Sequence, residues 1–278
     1  KLTAPVPGQW REQRVARYGR DPQHLFRHIM VALDGHESGW MALREGLNIA
    51  QREGGHILGL HIVDETAPLS ADAREQLQER FAATCEQAEI SGELAISTGT
   101  VAHEISTRTR WADLVVAPLN YPPGTGPLEK LRSGFRTMIV NAPCPVLALP
   151  SELFPASQAV LAFDDSPKSR EALYVATYLV HCCPGLNLTV VSCNTDVRAL
   201  LGTLSEAQSY LSGYGITVET VAVERPEAGS AIREVADTHD ADLIIMGGYS
   251  RPPVVEIVLG STVNEVLRTA RRPTLICQ

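Results

Sequence analysis

Ala112-Asp-Leu-Val-Val116 recurs as Ala241-Asp-Leu-Ile-Ile245, and this pair decides how the chain folds. Each is a short apolar run, rich in β-branched residues, behind an acidic residue. That is the pattern of a strand buried on both faces. Two further segments repeat on either side. His28-Ile-Met-Val-Ala-Leu-Asp34 corresponds to Ala159-Val-Leu-Ala-Phe-Asp164, and Ala142-Pro-Cys-Pro-Val-Leu147 corresponds to Ala270-Arg-Arg-Pro-Thr-Leu275. Asp34 to Asp164, Asp113 to Asp242 and Pro145 to Pro273 are separated by 130, 129 and 128 residues. Near-constant spacing over three segments marks a duplicated domain, not a solenoid unit. The chain of 278 residues divides into a leader or linker over 1–26, copy one over 27–151 and copy two over 156–278, with the boundary in a short polar connection flanked by Pro150 and Pro155.

Each copy reads β-α-β-α-β-α-β-α-β. In copy two the first strand is expected over 160–163. Ser166 is a good N-cap and Pro167 suits the first helical position, so a helix starts there; Pro184-Gly185 stops it. A second strand over 188–193 leads to a helix over 198–212, broken by Gly213 and Gly215. Ile216, Val218, Val221 and Val223 are assigned to the third strand, 231–238 to a helix and 243–246 to the fourth strand. Val263, Val266, Leu267 and Ala270 fall on one helical face, and 274–277 forms the last strand. In copy one the clearest helix begins near Ser70, with Leu77, Phe81, Cys85 and Ala88 on one face. Alternating strands and helices predict an α/β fold: two tandem copies of a five-stranded parallel sheet with helices on both faces. Ligands of such sheets bind beyond the carboxyl ends of the strands. That rule singles out Asp34 and Asp164 after strand one and the loops after Val116 and Met246.

Composition narrows the function. Hydrophobic residues at 44% and charged residues at 20% imply a packed core, and no apolar run reaches the length of a membrane span. A net charge of −8 without a basic stripe argues against nucleic-acid binding. Lys1, Lys130 and Lys168 are the only lysines, so a bound polyanion would rely mostly on backbone N–H groups. The six cysteines show no zinc-ligand or CxxC spacing and read as cytosolic thiols. Asn187-Leu-Thr189 matches a glycosylation acceptor but leads into a buried strand. The sequence starts at Lys1 without a methionine, and its first residues lack the apolar core of a signal peptide.

The segment that carries chemistry runs from Met246 through Gly247-Gly-Tyr-Ser250 and Pro252-Pro253 to Gly260-Ser-Thr262. It follows a strand and opens a helix. Gly247, Gly248 and Ser250 are small enough for a backbone to approach a ligand closely. Gly260, Ser261 and Thr262 stand where unpaired N–H groups and the helix dipole favour phosphate. In this setting the chain resembles universal stress proteins that bind ATP through G-x2-G-x9-G-[ST]. Gly247, then Ser250 at the second glycine position, then Gly260-Ser261 follow that spacing, and the resemblance extends over nearly all of both copies. It implies the adenine-nucleotide alpha-hydrolase-like strand order 3-2-1-4-5. It also implies that Asp164 meets the nucleotide, that Cys193 meets adenine through its backbone, and that Gly247, Gly248, Ser250, Gly260, Ser261 and Thr262 hold the phosphates. The ligand is then ATP, with AMP or ADP as alternatives, and magnesium accompanies the polyphosphate. Family members pair such domains through their last strands, which implies an intramolecular pseudo-dimer, further association into a homodimer and a cytoplasmic location.

Copy one departs from the pattern. Pro118 replaces Gly247, Arg132-Ser133 replaces Gly260-Ser261, and the loop between is one residue longer. A proline has no N–H to offer and an arginine occupies the phosphate position, so copy one is expected to serve as a pairing partner. In copy two, Ser250 and Pro252-Pro253 leave a second possibility open, in which the glycines only shape a turn. Other sites do not fit. Gly124 to Lys130 resembles a P-loop but carries Glu129 at an essential glycine, and no GxGxxG, GxSxG or HExxH motif occurs. The acids after strand one lack the lysine a receiver domain needs after strand five, and neither strand-one loop matches the SGGxDS loop of ATP-splitting relatives. His61 lies in a strand pattern and reads as a core histidine. No general base is evident, so catalysis is not expected beyond weak ATP hydrolysis. A nucleotide-free interaction scaffold, or the regulatory part of a larger protein, is the alternative, with a slow ATPase second.

Overall fold

A computed structural model describes residues 24–63, 68–99, 104, 107–119, 134–150, 157–249 and 262–278. Within it the chain separates into two compact units, one built mainly on 10–121 and 134–153, the other mainly on 154–278.

In the first unit the strands are β1 (His28–Leu33), β2 (His56–Val63), β3 (Gly92–Thr98), β4 (Leu114–Pro118) and β5 (Val146–Leu149). The helices are α1 (Glu37–Glu53), α2 (Ala71–Gln87) and α3 (Gly134–Asn141). The strand order is β3-β2-β1-β4-β5 and each of these pairings is parallel. Side chains along β1 and β4 are mostly buried, whereas those of β3 at the edge are all exposed or half-buried. A central strand of a parallel sheet is covered on both faces and its edge strand is not. Ser70 caps α2 by accepting the Ala73 N–H at 3.1 Å, and Phe81 and Cys85 are the buried residues of this helix. Leu77 is only half-buried and Ala88 is the C-cap, so the inward face is narrower than the periodicity implies.

The second unit repeats the plan with β6 (Gln158–Ala162), β7 (Asn187–Cys193), β8 (Glu219–Val223), β9 (Leu243–Gly247) and β10 (Thr274–Cys277). Its helices are α4 (Pro167–Cys182), α5 (Val197–Gly213), α6 (Ala228–Thr238) and α7 (Thr262–Arg268). The order β8-β7-β6-β9-β10, parallel throughout, is again 3-2-1-4-5. Right-handed crossovers that reverse direction after the third strand put two helices on each face of such a sheet.

Several boundaries differ from the sequence pattern: β6 is Gln158–Ala162 where 160–163 is expected, α5 includes Gly213, and α6 starts at Ala228 where 231 is expected. The third strand begins at Glu219, leaving Ile216 and Val218 outside it although both are buried. Gly215 takes φ +74°, and the Ile216 N–H closes α5 by donating to the Leu211 carbonyl at 3.0 Å, so it cannot start a ladder. The last helix ends at Arg268; Ala270 lies beyond it and donates its N–H to Leu267 in a turn.

The repeated Ala-Asp pair has a structural task. Asp113 accepts the His28 N–H at 2.8 Å and Asp242 accepts the N–H groups of Ser157 and Gln158 at 2.8 and 3.2 Å. The Ser157 hydroxyl adds a third donor to Asp242 at 2.6 Å. Each acid therefore pins the start of strand one beside strand four, at the end of the sheet opposite its carboxyl ends. Asp242→Ala is expected to lower the unfolding free energy by about 1–3 kcal/mol, since it removes the hydrogen bonds of a charged acceptor at the strand start and leaves their donors to water. Urea denaturation checks this, and an unchanged midpoint would speak against the pin.

Candidate functional site

The carboxyl ends of β6, β7 and β9 converge beside the first turn of α4. The chain leaves β6 through Phe163 and turns sharply. Asp165 adopts φ +61°, the left-handed conformation that Gly35 adopts at φ +80° in the first unit. Its carboxylate is held there by Arg170, at 2.7 Å from Nε and 2.9 Å from Nη2. Ser166 caps α4 by accepting the Ser169 N–H, and the buried Ser169 hydroxyl donates to the Ser166 carbonyl while accepting the Asp164 N–H at 3.4 Å. These bonds fix the backbone and leave the Asp164 side chain exposed, with one partner among the described residues, the Ser166 N–H at 3.0 Å.

Cys193 closes β7. The β6–β7 ladder ends at Ala162 and Val191, with Phe163 donating to Val191, two residues before Cys193. The backbone of Cys193 pairs with β8 on its other side. Its β6-facing edge thus lies past the end of the ladder. Burial raises the pKa of its thiol, opposed by Arg225, so the side chain is a neutral wall.

Gly247 and Gly248 are placed by packing. Gly247 is the last residue of β9 and pairs with Cys277. A Cβ there would lie 2.7 Å from both the Lys168 carbonyl carbon and the Ser169 nitrogen, so the strand end sits directly on the first turn of α4. The Gly248 N–H donates to the Cys277 carbonyl at 2.6 Å. Thr262 is the first residue of α7 and is half-buried. Ser250, Gly260 and Ser261 lie outside the described residues, as do Arg132 and Ser133 of copy one.

Two contacts were not anticipated from sequence. The Tyr249 hydroxyl bonds Asn264 Oδ1, tying the start of the loop to α7. Lys168 turns its Nζ toward Gln278 Oε1 at 3.3 Å, beside the end of β10. Burial holds its ammonium below the ordinary lysine range, with the buried Glu171 carboxylate opposing. The scarcity of lysine was the only sequence signal for it.

At the corresponding end of the first unit the strand-one acid is bonded within its own loop. Asp34 accepts the His36 and Gly39 N–H groups at 2.9 and 3.0 Å and the Ser38 hydroxyl at 2.8 Å. The β1–β2 ladder runs one pair further, to Leu33 and His61. The His61 ring, only 8% exposed, is bonded through Nδ1 to the Leu33 carbonyl at 2.9 Å. Among the described residues no group of three or more His, Cys, Asp or Glu side chains could hold a metal, and no helix is long and apolar enough to cross a membrane.

Comparison with known proteins fits this architecture. The sequence profile described as the Universal stress protein family matches residues 25–118 and 157–278. A universal stress protein from Synechocystis is 26% identical over 147 residues, which are 52% of this chain and 50% of that protein; the chain thus spans about half the length of this curated relative. Among solved structures, a universal stress protein from Archaeoglobus fulgidus has a TM-score of 0.74 at 18% identity, covering 92% of this chain and 98% of that one. A putative universal stress protein from Pseudomonas aeruginosa has a TM-score of 0.68 at 17% identity, covering 92% and 95%. At these identities the structures establish the shared fold.

Two outcomes follow from this geometry. Gly247→Val should destabilise the protein by about 1–3 kcal/mol through overpacking against α4, read as a lower urea midpoint; an unchanged midpoint would mean the strand end has room to move. In protein carrying 13C-methylated lysines, Lys168 should titrate below the ordinary lysine range in an NMR pH series; titration within that range would show that it is solvated.

Proposed function

This chain belongs to the universal stress protein family, and we propose that its second copy binds an adenine nucleotide while its first copy serves as partner. The ligand is ATP, with AMP or ADP as alternatives, and magnesium accompanies the polyphosphate. Asp164 meets the sugar or base and Cys193 meets adenine through its backbone. Gly247, Gly248 and Ser250 line the phosphates, with Gly260, Ser261 and Thr262 at the start of the last helix. The two copies pair through their last strands, chains associate further, and the protein works in the cytoplasm as a regulatory or stress-response module with at most weak ATP hydrolysis.

One asymmetry supports this assignment. Among the described residues Asp164 is exposed and accepts a single hydrogen bond, whereas Asp34 accepts three within its own loop and has the His61 ring nearby. A carboxylate that already accepts three hydrogen bonds from its own loop keeps about one of its four lone-pair sites for a ligand. The second reading, a nucleotide-free scaffold, is favoured by a different observation: packing and a ladder bond already account for Gly247 and Gly248.

Isothermal titration with Mg-ATP separates the two. The proposal expects about one site per chain, affinity about tenfold weaker in Asp164→Ala, equivalent to about 1.4 kcal/mol, and no change in Asp34→Ala. Absence of heat at several temperatures would favour the scaffold. Affinity lost through Asp34 would move the site to copy one.

A further inference from the structure

The helix that begins at the candidate site ends on two adjacent cysteines. Cys182 is the last residue of α4 and Cys183 its C-cap, and Gly185 then turns the chain at φ +91°. The Cys183 N–H donates to the Leu179 carbonyl at 2.9 Å and the Leu186 N–H to the Cys183 carbonyl at 3.1 Å, so the backbone of the pair is fixed. The two sulfurs lie 3.6 Å apart and both residues are half-buried. The equivalent end of α1 carries Arg52-Glu53, so the pair is particular to copy two.

The geometry points to a bidentate site for a soft, thiophilic ion of low coordination number, such as trivalent arsenic, at Cys182 and Cys183. Two sulfurs bound to one atom at about 2.3 Å stand about 3.3 to 3.8 Å apart as the angle between them opens from a right angle, near that of pyramidal trivalent arsenic, to the tetrahedral value, a range that includes the spacing here. A disulfide between the two is disfavoured: adjacent Cα atoms are about 3.8 Å apart, below the usual disulfide range, and such strained bonds are easily reduced. The site also suits few ligands, because no third His, Cys, Asp or Glu joins the pair to make a metal-holding group among the described residues. Soft thiolates select soft ions. The carbonyl end of the helix disfavours a lone thiolate, and the Cys182 thiol points at the Leu179 carbonyl at 3.6 Å. Capture therefore depends on both sulfurs acting together. The other thiols compete poorly: Cys85, Cys144 and Cys277 are buried, and burial pushes the Cys85, Cys193 and Cys277 thiols up.

Phenylarsine oxide is a direct probe. Two S–H bonds and the arsenic–oxygen bond break, two As–S bonds form, and the oxygen leaves with both protons as one water; arsenic stays trivalent. Intact mass spectrometry of the full chain should show one adduct that survives excess glutathione and is removed by a dithiol. Cys182→Ser and Cys183→Ser should each weaken retention at least tenfold, and Cys193→Ser should leave it unchanged. No adduct on the wild type, retention in both single variants, or loss with Cys193→Ser would overturn the assignment. The serine variants are near-isosteric, and matched circular-dichroism melts confirm that they are folded.

Discussion

The end of β9 rests on the first turn of α4 so closely that position 247 has no room for a Cβ. This contact brings the outlet of strand four, the loop after strand one and the amino end of the first helix of copy two together. Ser166, Ser169 and the Asp165–Arg170 pair then set the shape of that loop. With the backbone fixed by these groups, the carboxylate of Asp164 is left exposed to solvent. A rigid frame that leaves a polar group exposed is what a binding site needs, because little ordering remains to oppose association.

The two copies share this frame and differ in what fills it. Both begin strand one under an aspartate, Asp113 or Asp242, and both place a left-handed residue after the strand-one acid, Gly35 or Asp165. Copy one then uses its acid to cap its own helix turn. It carries the buried imidazole of His61 one ladder pair further along than the corresponding pairing in copy two.

Much of the fold was legible because parallel strands buried on both faces must be apolar along their whole length. The runs at 112–116 and 241–245 therefore stood out, and their spacing exposed the duplication. The start of α4 was legible from Ser166-Pro167, where capping and proline preference agree. Boundaries governed by non-local bonds were not. Ile216 looks like a strand residue, yet its N–H belongs to the helix before it, and Ala270 keeps the helical period after the helix has ended. For the site, Asp164 and the glycines were visible as a motif. That Gly247 answers to Lys168 and Ser169, and Gly248 to Cys277, depends on tertiary contacts that no spacing encodes. Lys168 itself was visible only as a rare residue, and its placement beside Gln278 is a product of the fold.

The central claim is that the carboxyl end of copy two, and not that of copy one, receives the nucleotide. Amide chemical-shift mapping of 15N-labelled protein during a Mg-ATP titration tests it most directly. The account predicts perturbations at 164–169, at Cys193 and at 247–249, with 34–39 and His61 unmoved. Shifts centred on 34–39, or none at either end at saturating nucleotide, would contradict it.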